Sequence, residues 1–366
     1  MPEFTAADYA HMARALRLAR RGLYTAHPNP RVGCVLVNDG QIVGEGWHRR
    51  CGKAHAETAA LDDAGAKAKG ATAYVTLEPC SHQGKTPPCA DALIAAGVTR
   101  VVAAMADPNA KVSGSGSRVL EDAGVAVHTG LLADAAVSLN EGFISRMQRG
   151  RPFVRLKVAA SLDGRTAMSN GQSQWITGEA AREDGQRLRA SSGAVMVGIG
   201  TVLADDPSLT VRRTDLDNDG MQPLRVVLDS KLRLPVSARM LGLPGETAVF
   251  CVDDRNQRAL TAAGASVFPV AGSGDSLDLT AVLHKLAELE INDVLAEAGQ
   301  TLSGSLLAAG LVDELVIYQA PHIMGSETRG MFSTPDWQTI DGRLGLDIVD
   351  VRKIGADMRI IARPAG

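Results

Sequence analysis

The sequence predicts two α/β domains in tandem. Its 366 residues exceed one comfortable core, since domains usually hold roughly 100 to 200 residues. Apolar strand-like runs alternate with helical stretches through both halves. Hydrophobic residues at 45% and charged residues at 22% match an ordinary globular composition, so both halves can bury a core.

Thr5 with Asp8 three residues on predicts a helix start, Met12 and Leu16 follow at helical spacing, and Gly22 is expected at the C-cap. Val32 to Val37, the turn pair Asp39-Gly40 and Gln41 to Trp47 predict a hairpin. A helix is expected from about His55 to Ala64. Tyr74 to Leu77 and Val101 to Met105 read as buried strands, each leading through a loop into a helix. Ser113-Gly114-Ser115-Gly116-Ser117 has linker composition. A helix from Val119 to Ala123 and a strand from Val125 to His128 nevertheless continue the alternation beyond it. The boundary is therefore expected near Arg149 to Pro152, giving domains of residues 1–150 and 151–366. The second half opens with a strand from Phe153 to Val158 and carries one polar loop around Thr214 to Gln222.

A formal net charge of -3 opposes a polyanionic partner, which needs clustered cations. Asp, His and Arg interrupt residues 1–20, and no run reaches the roughly 18 apolar residues of a membrane span. The chain is expected in the cytoplasm, with neither membrane nor nucleic acid as partner. Its 5 cysteines are an odd number at irregular spacing, which fits metal or catalytic use better than a disulfide framework.

The chemistry of the first half rests on His55-Ala56-Glu57, Pro79-Cys80 and Cys89. One histidine and two cysteines supply three ligands for a tetrahedral zinc, leaving the fourth position for water. His55 and Cys89 each stand at an expected helix start, where the dipole favours thiolate and neutral imidazole. Glu57 is the expected proton shuttle between attacking water, ring nitrogen and departing ammonia. His-x-Glu with Pro-Cys-x-x-Cys is a general zinc-deaminase signature. Here the cysteines are instead separated by eight residues, from Ser81 to Pro88.

In the second half, Val197-Gly198-Ile199-Gly200-Thr201 and the segment from Glu297 to Gly304 follow apolar runs. Both could bring backbone amides to a cofactor's phosphates. Neither completes a G-x-G-x-x-G fingerprint, and by itself each glycine pair is more often a turn. Asp205 before Pro207 is readable as a helix cap.

At this point a family resemblance enters. His27 to Gly33, Gly44 to His48, His55-Ala56-Glu57 and Thr76 to Cys89 resemble the deaminase half of the bifunctional riboflavin-biosynthesis deaminase-reductases. Pro152 to Lys157, Ser161 to Gly164, Ser173 to Thr177, Leu188 to Ala190, Gly200 to Pro207 and Leu209 to Arg212 resemble their reductase half. The resemblance implies a cytidine-deaminase-like α/β/α domain followed by a dihydrofolate-reductase-like α/β domain. It implies zinc on His55, Cys80 and Cys89, Glu57 as acid and base, and substrate contacts from Asn29, His48, His82 and Lys85. For the reductase it implies NADPH, with Lys157, Asp205 and Glu297 at substrate or catalytic positions and Arg189 and Arg212 on the phosphate. Leu209 joins the substrate set, and Trp175, Thr177, Thr201, Ser230 and Gly299 line the cofactor. The implied partners are a pyrimidine ribosylamino phosphate and further copies of the chain. A rival reading makes the second half a regulatory nucleotide-binding module without catalysis; another makes the first half a nucleic-acid editor, which the acidic balance and few aromatics oppose.

Overall fold

The Asp39-Gly40 pair turns the chain between β1 (Gly33–Asn38) and β2 (Gln41–Trp47), with both residues at positive φ, 49° and 74°. That backbone suits the twist of a tight hairpin. This computed structural model describes residues 4–81, 88–109, 112–273 and 276–365. The chain divides into two units, residues 1–151 and 152–366.

In the first unit, β3 (Thr72–Val75), β4 (Arg100–Ala103) and β5 (Ala126–Thr129) extend the hairpin into a sheet of order β2-β1-β3-β4-β5. β1 is antiparallel to β2 and β3, while β3, β4 and β5 run parallel. Alternate residues bury both faces. Leu36, Val75 and Val101 meet Ala60, Leu93 and Leu120 of α2 (Ala56–Ala64), α3 (Cys89–Ala95) and α4 (Ser115–Asp122). Val35, Tyr74 and Val102 meet Met12 and Leu16 of α1 (Ala6–Ala19) and Ala136 of α5 (Ala133–Leu139). α6 (Glu141–Arg149) ends the unit.

Thr5 and Asp8 form a capping box at the start of α1. One local expectation is corrected, at Gly22, and the helix expected from Val119 begins earlier, at Ser115. α1 stops at Ala19 and is capped by Arg20. Gly22 is needed instead because a Cβ there would stand 2.7 Å from the His48 carbonyl oxygen. The Ser113 to Ser117 stretch is partly the first turn of α4, because its small residues permit contact with the chain around Pro79.

Gly44 and Gly46 of β2 let α2 approach at backbone distance. A Cβ at Gly46 would lie 2.3 Å from the Ala56 oxygen and 2.5 Å from the Ala60 nitrogen; at Gly44, 2.3 Å from the Ala60 oxygen. The helix that follows His55 and carries Glu57 is thereby pressed onto the sheet.

The second unit is a nine-stranded sheet of order β11-β10-β9-β8-β14-β6-β15-β18-β17. Its strands are β6 (Phe153–Ser161), β8 (Ala194–Gly198), β9 (Leu224–Leu228), β10 (Thr247–Cys251), β11 (Ala265–Pro269), β14 (Asp293–Ala296), β15 (Glu314–Ala320), β17 (Leu346–Ile354) and β18 (Asp357–Pro364). The first seven in the sheet run parallel, and β18 and β17 close one edge antiparallel. Two small ladders, β12 (Gly272–Ser273) with β13 (Ser276–Leu277) and β7 (Arg165–Ala167) with β16 (Arg329–Gly330), stand apart. One face packs Val154, Met196, Val226 and Val294 under α10 (Leu279–Glu288) and α11 (Gln300–Ala308). The other packs Val195, Val227 and Val249 with Ile199 and Val202 of α8 (Ile199–Asp205) and Leu260 of α9 (Arg258–Ala262). α7 (Glu179–Ser191) precedes β8. In parallel sheets the loops leaving strand C-termini gather on one side, the usual place for a ligand.

The contact of α2 with β2 gives a direct test. Gly46→Ala must push the helix backbone away and is expected to cost about 1–3 kcal/mol, read as a lower denaturant midpoint for the first unit together with reduced zinc uptake. Unchanged stability and zinc content would show that the close approach is dispensable.

Candidate active sites

His55 is the N-cap of α2, in extended backbone, and Cys89 is the first residue of α3. Cys80 lies beyond β3. The His55 Nδ1 stands 3.2 Å from Cys89 Sγ and 3.6 Å from Cys80 Sγ, and all three potential ligand atoms lie within 4.8 Å of one another. Zinc bonds of about 2.0–2.1 Å to nitrogen and 2.3 Å to sulfur, at a tetrahedral angle, separate N and S by roughly 3.5 Å. The donor set and its spacing fit zinc. The Cys89 amide donates to Cys80 Sγ over 3.4 Å, and the Ala90 amide to the Cys80 carbonyl over 3.1 Å, so the start of α3 is wound onto Cys80. The pairing with Cys89 holds the Cys80 thiol down at about 4 and pushes the Cys89 thiol far up.

Glu57, in the first turn of α2, is 4% exposed. Burial pushes its carboxyl up to about 7, with the Cys80 sulfur adding to the rise. His48 lies edge-on to His55 with ring centres 5.4 Å apart. Its Nδ1 is 3.1 Å from the Ala54 carbonyl oxygen and therefore donates, leaving Nε2 to accept from the Asn29 amide nitrogen at 3.0 Å. Burial lowers the pKa of this imidazole. The network leaves Oδ1 as the Asn29 atom available to a ligand. His82 and Lys85 lie outside the described residues.

In the second unit a cavity of about 910 Å³ is lined by Lys157, Trp175, Thr177, Thr201, Asp205, Ser230, Glu297 and Gly299. The sequence elements behind it are turns that follow parallel strands: Gly198 into α8, Ser230 after β9, and Glu297 to Gly299 into α11. Small residues there let a ligand approach backbone amides, a wall that suits an extended nucleotide such as NADPH. Trp175 is 68% exposed at the rim, beneath Arg182 at 4.8 Å.

Glu297 organises the charge. Arg189 grips it with Nε to Oε1 at 2.6 Å and Nη2 to Oε2 at 2.9 Å, and its Nη1 donates to the Thr210 carbonyl. Lys157 Nζ is 3.9 Å from Glu297 Oε2. Burial alone would raise the Glu297 pKa, but the charges of Arg189 and Lys157 override it and hold it at about 2. Arg212 donates to the Ser208 hydroxyl at 2.9 Å. Arg189 and Arg212 are not among the residues lining the cavity; Arg189 backs it through Glu297. Leu209 is buried and sends its side chain into the core on the α8 face.

Sequence reasoning passed over Arg182, Arg233 and Arg329, which also line the cavity. Arg233 stands one turn of chain after Asp229, whose carboxylate is wholly buried and accepts from the Leu234 amide at 2.8 Å and from Arg233 Nε at 3.4 Å. No motif marks these arginines.

Two family models match the chain. Residues 5–105 match the cytidine and deoxycytidylate deaminase zinc-binding region, and residues 152–360 the RibD C-terminal domain. The riboflavin biosynthesis protein RibD of Escherichia coli is 49% identical over 96% of this chain and 98% of its own, and that of Haemophilus influenzae is 45% identical over 100% of both. Among solved structures, RibD from Acinetobacter baumannii superposes with a TM-score of 0.93 at 46% identity, covering 98% of this chain and 99% of that one. A diaminohydroxyphosphoribosylaminopyrimidine deaminase/5-amino-6-(5-phosphoribosylamino)uracil reductase from Thermotoga maritima gives 0.87 at 34% identity, with the same coverage. The first unit has the cytidine-deaminase fold and the second the dihydrofolate-reductase-like fold of the RibD reductase. The chain belongs to the RibD family, and it is a bifunctional zinc-dependent deaminase and NADPH-dependent reductase of riboflavin biosynthesis.

Proposed function

We propose that the first unit hydrolytically deaminates a diaminopyrimidinone bearing a ribosylamino phosphate, and that the second reduces its ribosyl group to ribityl. The observation that carries the reading is the His55, Cys80 and Cys89 cluster with Glu57 beside it. The name of the Thermotoga maritima neighbour supplies the same pair of substrates.

Zinc held by His55, Cys80 and Cys89 supplies a Lewis acid that makes water nucleophilic near neutral pH. Glu57 accepts one proton from the attacking water and gives it to the pyrimidine ring nitrogen, then takes the second from the hydroxyl now on the ring carbon and gives it to the departing amino group, which leaves as ammonia while the carbonyl forms. Asn29, oriented by His48, presents Oδ1 to a donor on the pyrimidine edge. His82 and Lys85 complete the substrate contacts, with Lys85 meeting the ribose phosphate.

In the second unit NADPH supplies the hydride. Trp175, Thr177, Thr201, Ser230 and Gly299 line its channel, and the Arg233 guanidinium near Ser230 suits a nucleotide phosphate. Asp205 moves the proton that opens the ribosylamine ring. Lys157 and Glu297 flank the reacting sugar. Arg212, the backbone at Leu209 and Arg189 serve the substrate phosphate, with Arg189 also holding Glu297 in place. The work is cytoplasmic in this reading, in keeping with free cysteines used as ligands; among the described residues no helix is long and apolar enough to cross a membrane.

The chain also pairs with a second copy of itself through β17. This strand ends the nine-stranded sheet, and Leu346, Ile348, Val349 and Val351 on it are 42%, 68%, 57% and 48% exposed. An open edge with such apolar side chains favours association.

Glu57→Gln and Asp205→Asn should separate the two reactions. The first should keep its zinc and lose deamination by about two to four orders of magnitude, while still reducing preformed deaminated substrate. The second should release ammonia normally and fail to oxidise NADPH. Loss of both activities in either variant would contradict the division of labour.

The Glu297 cluster has an acid signature. A carboxylate held at about 2 against an unfolded value of about 4.3 stabilises the fold fully above that unfolded value, and the stabilisation is lost as pH falls through 2. Thermal unfolding between pH 6 and 2 should therefore be less pH-dependent in Glu297→Gln than in the parent. Parallel curves would mean that the ion pairs contribute nothing to folding.

Light scattering should find a dimer or larger assembly at micromolar concentration, and a double Ile348→Lys and Val351→Lys variant should be smaller. A monomeric parent chain would refute the edge-pairing reading.

A further inference from the structure

Glu78 lies between β3 and the ligand Cys80 and is 5% exposed. Among the described residues no cation pairs with it. Its carboxylate instead accepts three backbone amides from one segment: Oε2 from Asp107 at 3.1 Å and from Gly114 at 3.0 Å, and Oε1 from Ser117 at 3.1 Å. A buried carboxylate with fewer donors would be costly, since desolvation of an ion amounts to several kcal/mol. These amides therefore fix where the segment lies.

The same segment touches both residues that flank Cys80. Gly116 lies so close to Pro79 that a Cβ would stand 1.9 Å from the Pro79 oxygen. The Ser115 and Ser81 hydroxyls are 2.7 Å apart. Cys80 itself is bonded from the other side by the Cys89 and Ala90 amides. The ligand thus sits between the start of α4 and the start of α3, and Glu78 is the group that draws α4 in.

We infer that Glu78 is a positioning residue for the metal centre, drawing Asp107 and residues 114–117 in beside Pro79 so that the Cys80 thiolate is held at ligand distance from His55 and Cys89. The inference rests on the reading of His55, Cys80 and Cys89 as zinc ligands. Outer partners that orient ligands typically govern metal affinity by 10–100-fold, which sets the expected scale.

The test uses the full chain carrying Glu78→Gln, which replaces one acceptor oxygen with a donor facing an amide, and separately Gly116→Ala, which attacks the same contact and keeps the carboxylate. Zinc affinity is measured by competition with a chromophoric chelator, and ligand geometry by the absorption bands of the cobalt(II)-substituted protein. Both variants should bind zinc about 10–100-fold more weakly and show shifted cobalt bands, while the first unit keeps a cooperative thermal unfolding transition that certifies its fold. Lowered Tm with parental zinc affinity and cobalt bands in either variant would overturn the proposal, leaving Glu78 a merely structural residue. Cys80→Ser serves as the independent control. If it binds zinc like the parent, the ligand assignment itself fails, an outcome distinct from failure at Glu78.

Discussion

A carboxylate inside a protein must be surrounded by donors or cations, and this requirement shapes both halves of the molecule. Glu78 is matched by three amides, Glu297 by Arg189 and Lys157, and Asp8 by Arg100, Tyr74 and the Thr5 cap. The uncompensated alternative would be several kcal/mol worse for each ion, comparable with the stability of an entire domain. The loops around the two sites therefore have little freedom once these carboxylates are buried. Glu57 differs: few donors reach it, and its carboxyl rises towards neutrality, as suits a group that exchanges protons.

Backbone proximity is the second determinant. Gly44, Gly46 and Gly116 each occupy a place where a Cβ would fall within 2.3 Å of a neighbouring carbonyl oxygen. Side chains normally keep a helix and a sheet apart, and their absence at these glycines lets α2 bring His55 and Glu57 close to β2, while α4 reaches Pro79. In the second unit small residues act at the strand ends, where the Gly198 and Gly299 turns leave backbone amides open to a cavity. Both units thus follow the rule that ligands gather beyond the carboxyl ends of parallel strands.

The chemical demands on the two sites differ, and so do their electrostatics. The deaminase centre concentrates soft ligands and one carboxyl of raised pKa in a buried space. The reductase cavity is large, with Lys157, Arg182, Arg233 and Arg329 along it and the half-buried Glu297 carboxylate kept ionised in its wall. Such a cation-rich wall suits a phosphorylated cofactor and a phosphorylated sugar.

Periodicity and turn chemistry by themselves determined the capping box at Thr5, the Asp39-Gly40 hairpin and the α/β alternation, because each depends on neighbours in sequence. The His55, Cys80 and Cys89 cluster was also legible, since His55 and Cys89 open their helices and motif spacing marks them. Tertiary structure decided the rest. Gly22 resembles a C-cap until the His48 carbonyl is placed against it, and only packing shows that the Leu209 side chain lies in the core. The pairing of Arg189 with Glu297, 108 residues away, is equally a matter of tertiary structure. Glu78 and Arg233 carry no readable signal, because their partners are backbone groups or a cavity assembled from distant strands. Such long-range contacts depend on packing geometry, which no local pattern of residues encodes.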